Sequence, residues 1–266
     1  MDNRPIGIFD SGLGGLTVVK EVMKALPHEN IVYLGDTARV PYGTKSDQAI
    51  KRFSLENAEF LKKFNVKIII VACNTASSIA LPALRKKITV PVVGTIRPGA
   101  GKAIEATRNN RIGVIGTPMT IKSRAYEKEI KRLSKDKKVF SSPCSLFVQL
   151  VEEGWLGGRI TLDIARKYLK PLAGKKIDTL ILGCTHYPLL KNVISKAAGR
   201  GVRIVDSAGA VAEEVKGILG RAGKLAISRK KPSYKFFATD AVEQFARIGA
   251  RFLGKKISNL RRADYV

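Results

Sequence analysis

The 266-residue sequence predicts an α/β protein of two similar domains, each a mostly parallel sheet flanked by helices, with its site in the cleft between them. Three observations carry that reading. Short runs rich in Val and Ile alternate with longer segments whose apolar residues recur every three or four positions, the alternation of buried parallel strands with covering helices. The length exceeds the commonest domain size and leaves enough chain for two cores. Finally, "VACNTASS" at 71–78 and "LGCTHYPLL" from 182 each set a cysteine after an apolar run and before small polar residues, a weak internal duplication.

Taken in order, "PIGIFD" is a strand ending at Asp10, "LTVVKEVMKAL" a helix, and "NIVYLGD" a strand ending at Asp36. The helical "SDQAIKRFSLENAEFLKKF" precedes "VKIIIVACN", a strand that delivers Cys73, and "VPVVGTI" follows it. "RIGVIGT" ends at Thr117, "IKSRAYEKEIKRL" has helical spacing, "DTLILGC" delivers Cys184 and "VRIVDSA" Asp206. "YKFFATD" and "DAVEQFARIGARFLG" add a last strand and helix. Pro98 and Gly99 in "TIRPGAGKA" and the stretch "VDSAGA" mark boundaries. The predicted units are therefore residues 1–97 plus 208–266, a discontinuous first domain, and residues 98–207. The charged "KRLSKDKK" and "LAISRKKPS" read as exposed loops.

No apolar stretch reaches the roughly 18 to 20 residues of a membrane span, and "MDNRPIGIFD" lacks the basic and apolar regions of an export signal. The expectation is a soluble cytoplasmic protein. Cys73, Cys144 and Cys184 are odd in number, which argues for reduced thiols, and no close Cys/His spacing suggests a metal. The 48 Lys and Arg residues outnumber 22 Asp and Glu, a net charge of +26. That excess raises a polyanion partner as a possibility. Yet the basic residues lie in scattered clusters, with no aromatic-bearing strand of the RNA-recognition kind, so solvated Lys-rich helix faces are the simpler account.

In open α/β sheets the ligand site lies at the carboxyl ends of the strands, where both cysteines fall. If two such halves face each other, a bound molecule has one thiol on each side. Removing a proton from one face of a carbon and returning one to the other calls for two acid/base groups. Thiols, with an ordinary pKa of about 8.5 that neighbours can lower, suit both roles. For either cysteine alone, packing as a small hydrophobe is the plain alternative, and Cys144 reads that way. The glycine-rich turn in "FDSGLGGLTVV" aims backbone amides and a helix N-terminus at an anion, and the hydroxyls of Ser11, Thr75 and Thr185 would join them around a small carboxylate. "PYG" at 41–43 is a turn presenting backbone and Tyr42, and His186 stands two residues after Cys184 as a cation or orienting donor.

The motifs "IGIFDSGLGGLTVVKEV", "YLGDTARVPYG", "VACNTAS", "IGVIGTPMTIKSRAY", "LFVQLVEEG", "GCTHYPLL", "VDSA" and the tail "FATDAVEQFARIGARFLG" resemble, in this order and over essentially the whole chain, the cofactor-independent aspartate/glutamate racemase family. The resemblance implies interconversion of L- and D-glutamate at Cα with no pyridoxal phosphate, metal or nucleotide, the product serving peptidoglycan synthesis. It implies Cys73 as the base toward D-glutamate and Cys184 as the base toward L-glutamate. Asp10 would assist the first, pairing with the substrate ammonium; Glu152, with Glu153 as a rival, and His186 would assist the second. Substrate contacts would come from Asp10 and Ser11, Tyr42 and Gly43, Asn74 and Thr75, and Thr185 and His186, with Thr117 and Thr120 nearby. Arg97 and the high net charge depart from the family's expected pattern. A homodimer is the default assembly. A sibling activity on aspartate and a nucleic-acid role are the alternatives.

Overall fold

The computed structural model describes residues 2–227 and 231–264. The first half contains β1 (Ile6–Asp10), α1 (Leu16–Ala25), β2 (Ile31–Gly35), α2 (Asp47–Lys62), β3 (Ile68–Val71), α3 (Asn74–Ile79), α4 (Leu81–Lys87) and β4 (Val92–Gly94). The second contains α5 (Ile96–Ala106), β5 (Arg111–Gly116), α6 (Pro118–Lys122), α7 (Ala125–Leu133), β6 (Lys138–Pro143), α8 (Phe147–Glu152), α9 (Gly158–Ala173), β7 (Thr179–Gly183), α10 (Lys191–Ala198) and β8 (Arg203–Asp206). The chain ends with α11 (Ala208–Arg221), β9 (Tyr234–Ala238), α12 (Val242–Leu253) and β10 (Leu260–Arg262).

Two wholly parallel sheets result, one ordered β10-β9-β2-β1-β3-β4 and the other β6-β5-β7-β8. In each, the first four strands by sequence take the spatial order second, first, third, fourth. The order therefore reverses between β1 and β3 in one sheet and between β5 and β7 in the other, and such reversal points open the crevices in which α/β proteins hold ligands. The duplication glimpsed in the sequence is thus a repeat of topology: Cys73 follows the third strand of one half and Cys184 the third strand of the other.

β1, β2, β3 and β7 are buried along their whole length, which is why each reads as an unbroken apolar run. Helices cover them through apolar stripes, as α1 does with Leu16, Val18, Val19 and Val22. Ser46 starts α2 by accepting from Ala49 N–H, and Thr117 starts α6 by accepting from Thr120 N–H. One apolar cluster runs from β1 and α1 through α11 and α12 to β7 and α9, so the halves share a core behind the cleft. Among the described residues no helix is long and apolar enough to cross a membrane.

Several expectations change. "IKSRAYEKEIKRL" is not one helix, because Arg124 adopts φ of 55° and separates α6 from α7. β6 and β10 carry too little apolar signal to read as strands, β6 being an edge strand with most residues exposed or half-buried. "KRLSKDKK" accordingly bends from the end of α7 into β6. α5 runs through positions 97 and 98, so the chain leaves the first sheet at Thr95, and Pro98 sits in the helix's first turn, where its missing N–H costs nothing. "LAISRKKPS" includes 228–230, which lie outside the described residues.

Candidate active site

The two reversal points face one another. Cys73 and Cys184 both line a single enclosed cavity of about 20 Å³, together with Ser11, Tyr42, Gly43, Asn74, Thr75, Thr117, Thr185 and His186. Val40, Pro41 and Val148 complete its wall. Val148 lies one turn before Glu152 on α8, a spacing of four that sets both on the cleft side of the helix. The sequence pattern does not mark Val148, because an apolar residue on a helix is by default core.

Cys73 occupies the N-cap of α3, where its Sγ accepts from Ala76 N–H at 3.4 Å. The thiol is 5% exposed. Burial, and then the negative charge of Asp10, push its pKa up to about 12, against the opposing pull of Ser11 and the Ala76 amide. It is therefore a thiol at neutral pH. Cys184 has a different setting, since β7 leads into a 3-10 turn at Tyr187–Leu190. Its Sγ lies 3.9 Å from His186 Nδ1, and His186 Nε2 lies 2.9 Å from Glu152 Oε1. Burial works against charging His186, but bonding to Cys184 and Glu152 outweighs it and carries the imidazole up to about 10. Phe252 of α12 packs edge-on against that ring, with centroids 5.2 Å apart. Glu153, the rival carboxylate, is exposed, so the acid held against His186 is Glu152.

Asp10 stands behind the cavity wall and is fully buried. Its Oδ2 accepts from Gly12 N–H at 3.0 Å and its Oδ1 from Thr185 Oγ1 at 3.4 Å. The Gly12 amide of the glycine-rich turn is thus occupied by the chain's own Asp10, which is not among the residues lining the cavity. Burial raises its pKa, opposed by the His186 charge and by the amides of Gly12 and Gly15. Gly14 is required by close approach, since a Cβ there would lie 2.2 Å from Thr185 Oγ1 and 2.5 Å from His186 Nδ1.

Tyr42 lines the cavity without offering its hydroxyl to it. Its hydroxyl turns away to Asp36, which Arg39 also bonds, and Asn57 Nδ2 donates to the same hydroxyl at 3.0 Å. Asp36 is thus a support for the 41–43 turn. Asp206, also at a strand end, lines a separate hollow of about 900 Å³ between α5 and α11, with Arg97 on its rim. Of the strand-end residues, those beside the reversal points alone gather at the thiols. Across the cleft, Thr75 of the first half bonds Thr117 at 2.9 Å and Thr120 at 3.1 Å in the second.

Residues 13–215 match the Asp/Glu/hydantoin racemase family. The chain is 50% identical to the glutamate racemase of Geobacter metallireducens over 97% of this chain and 95% of that one. The crystal structure of a glutamate racemase isoform from Bacillus anthracis superposes with a TM-score of 0.95 at 43% identity, covering 99% of this chain and 98% of the other. That of glutamate racemase from Francisella tularensis, in complex with D-glutamate, gives 0.94 at 40% identity, covering 100% and 99%. Two duplicated α/β halves with a thiol at each facing crevice and this degree of identity lead to one assignment: the chain belongs to the Asp/Glu/hydantoin racemase family, within its glutamate racemase branch, and is an amino-acid racemase.

Proposed function

We propose that the protein interconverts L- and D-glutamate by a two-thiol mechanism without a cofactor, and that the D-glutamate serves peptidoglycan synthesis in the cytoplasm. The observation that carries the mechanism is the placement of Cys73 and Cys184 on opposite halves of one enclosed cavity. In the L-to-D direction Cys184, as thiolate, takes the Cα proton, and Cys73 delivers its own proton to the opposite face. The sulfurs exchange roles in reverse. His186 carries positive charge at neutral pH and stands beside Cys184 Sγ, so it balances that sulfur whenever it is anionic, while Glu152 holds the ring from the other nitrogen.

The carbanion-like state at Cα needs fixed donors and no competing water. The hydroxyls of Ser11, Thr75 and Thr185, the carboxamide of Asn74 and the backbone at Tyr42 and Gly43 line the cavity and supply them. Asp10 acts from behind, anchoring Thr185 and the turn that bears Ser11. We assign residues 1–97 plus 208–266 and residues 98–207 as the two domains, the first with Asp10 and Cys73 and the second with Glu152, Cys184 and His186, the chain crossing between them in the first turn of α5. A homodimer is the assembly we propose.

The test is loss of the circular dichroism of L-glutamate with metal-free protein, run beside L-aspartate and beside Cys73→Ala and Cys184→Ala. Decay to zero signal with glutamate, abolished by either substitution, supports the mechanism. In D2O, deuterium should enter the product enantiomer before it enters the remaining substrate. Full activity in either alanine variant defeats the two-thiol reading, and preference for aspartate defeats the substrate.

A further inference from the structure

Tyr126 touches the neighbours of both thiols. It lies on α7 in the second half, is 3% exposed, and donates its hydroxyl across the cleft to Asn74 Oδ1 at 2.7 Å. Asn74 follows Cys73, lines the cavity and is 3% exposed, and its Nδ2 has no protein partner among the described residues. The tyrosine ring backs onto Gly183, which precedes Cys184, so that a Cβ there would lie 3.2 Å from Tyr126 Cε2. A Cβ on Gly99 would lie 3.1 Å from the Tyr126 hydroxyl. The hydroxyls of Ser207 and Thr95 stand beside it, and these are the residues at which the chain passes between the sheets.

A carboxamide offers an acceptor on one side and donors on the other. With the phenol on Oδ1, Asn74 is left with its Nδ2 donor for the cavity, the orientation that suits an anionic carboxylate; the flipped amide would present an oxygen and repel it. We propose that Tyr126 is a positioning residue, which fixes the Asn74 carboxamide with Nδ2 toward the substrate carboxylate and, by bridging Asn74 to Gly183, sets the separation of the two thiol-bearing strand ends in the closed enzyme. This rests on the two-thiol reading above. The Tyr126–Asn74 bond joins opposite halves, so it exists only when the cleft is closed, and the substrate-binding donor is complete only then.

Tyr126→Phe keeps the ring and removes the donor. We expect kcat/KM for glutamate to fall roughly 10- to 100-fold, the scale of one lost hydrogen bond plus a misplaced substrate, with KM raised and the unfolding midpoint lowered by a few degrees at most, the fold being retained. In an Asn74→Ala background the same substitution should add less than about twofold, since coupled neighbours are not additive. The rise in unfolding midpoint with saturating glutamate, which the active enzyme equilibrates between its enantiomers, gives the same cycle from binding instead of rate. Equal losses in both backgrounds would make Tyr126 a general support, and wild-type rates in Tyr126→Phe would remove any role; either overturns the proposal. Should Tyr126→Phe not fold, Gly99→Ala, which presses on the hydroxyl, is put through the same cycle with the same criteria. A wild type inactive on glutamate instead sinks the proposed function on which this rests, which separates the two failures.

Discussion

His186 is bound at both ring nitrogens, to Cys184 Sγ and to Glu152 Oε1, and its imidazole is carried up to about 10 against the effect of burial. Glu152→Gln removes one of the charges that hold the proton, so the alkaline limb of the activity profile should move to lower pH, as a rate–pH series in both directions would show. The folded pKa lies above the ordinary 6.5, so the stability His186 supplies is present in full below about pH 6.5 and is lost as pH rises through about 10. Unfolding midpoints between those limits should fall in the wild type more steeply than in His186→Gln. At this scale the cysteines and His186 were legible, because reactive side chains at strand ends are a pattern in one dimension. The behaviour of Asp10 was not, because a carboxylate can satisfy amides two residues away as readily as it can meet a ligand, and the sequence contains both options.

The α1 entrance turn meets the far half at Gly14. Gly14→Ala forces a Cβ against Thr185 and His186, so racemisation should drop by at least about 100-fold while far-ultraviolet dichroism is retained, given the sensitivity of catalysis to ångström shifts. At the start of β3, Lys67 forms a buried ion pair with Glu29 at 2.5 Å and donates to the carbonyls of Asp2 at 2.6 Å and Lys224 at 2.8 Å. Lys67→Met leaves the Glu29 carboxylate buried without its cation, and urea unfolding should show a loss of about 3–5 kcal/mol. Elements with a strong apolar period were legible: the seven strands from "PIGIFD" to "VRIVDSA" are β1–β5, β7 and β8, of which β4 and β8 are sheet edges that still carry apolar runs. Edge strand β6 was not, since a strand half in water needs few apolar residues, nor was the Arg124 break, which lies in backbone geometry and leaves the side-chain period intact.

For the whole molecule, the cavity at the thiols has room for little more than water, so its walls must move to admit an amino acid. Cys73 and Cys184, 5% and 7% exposed, should react slowly with iodoacetamide, more slowly still with saturating glutamate. Cys144, at 0% exposure behind β6, should show no such protection and serves as the internal control, read by peptide mass spectrometry. The repeat of strand order and the burial of a continuous core from one half to the other were only partly visible in the sequence, through the matched cysteines, because sheet order is a property of packing. The two thiols nevertheless sit in unlike surroundings, one capping a helix and the other facing an imidazolium. Mirror-image amino acids have equal free energies in water, so the equilibrium constant of their exchange is one, whatever the enzyme. The ratio kcat/KM must therefore be identical in the two directions, and any substitution on either side must change both by the same factor. The asymmetry built into the protein can be expressed in kcat and in KM separately, never in their ratio: a lopsided catalyst is obliged to run an even-handed reaction.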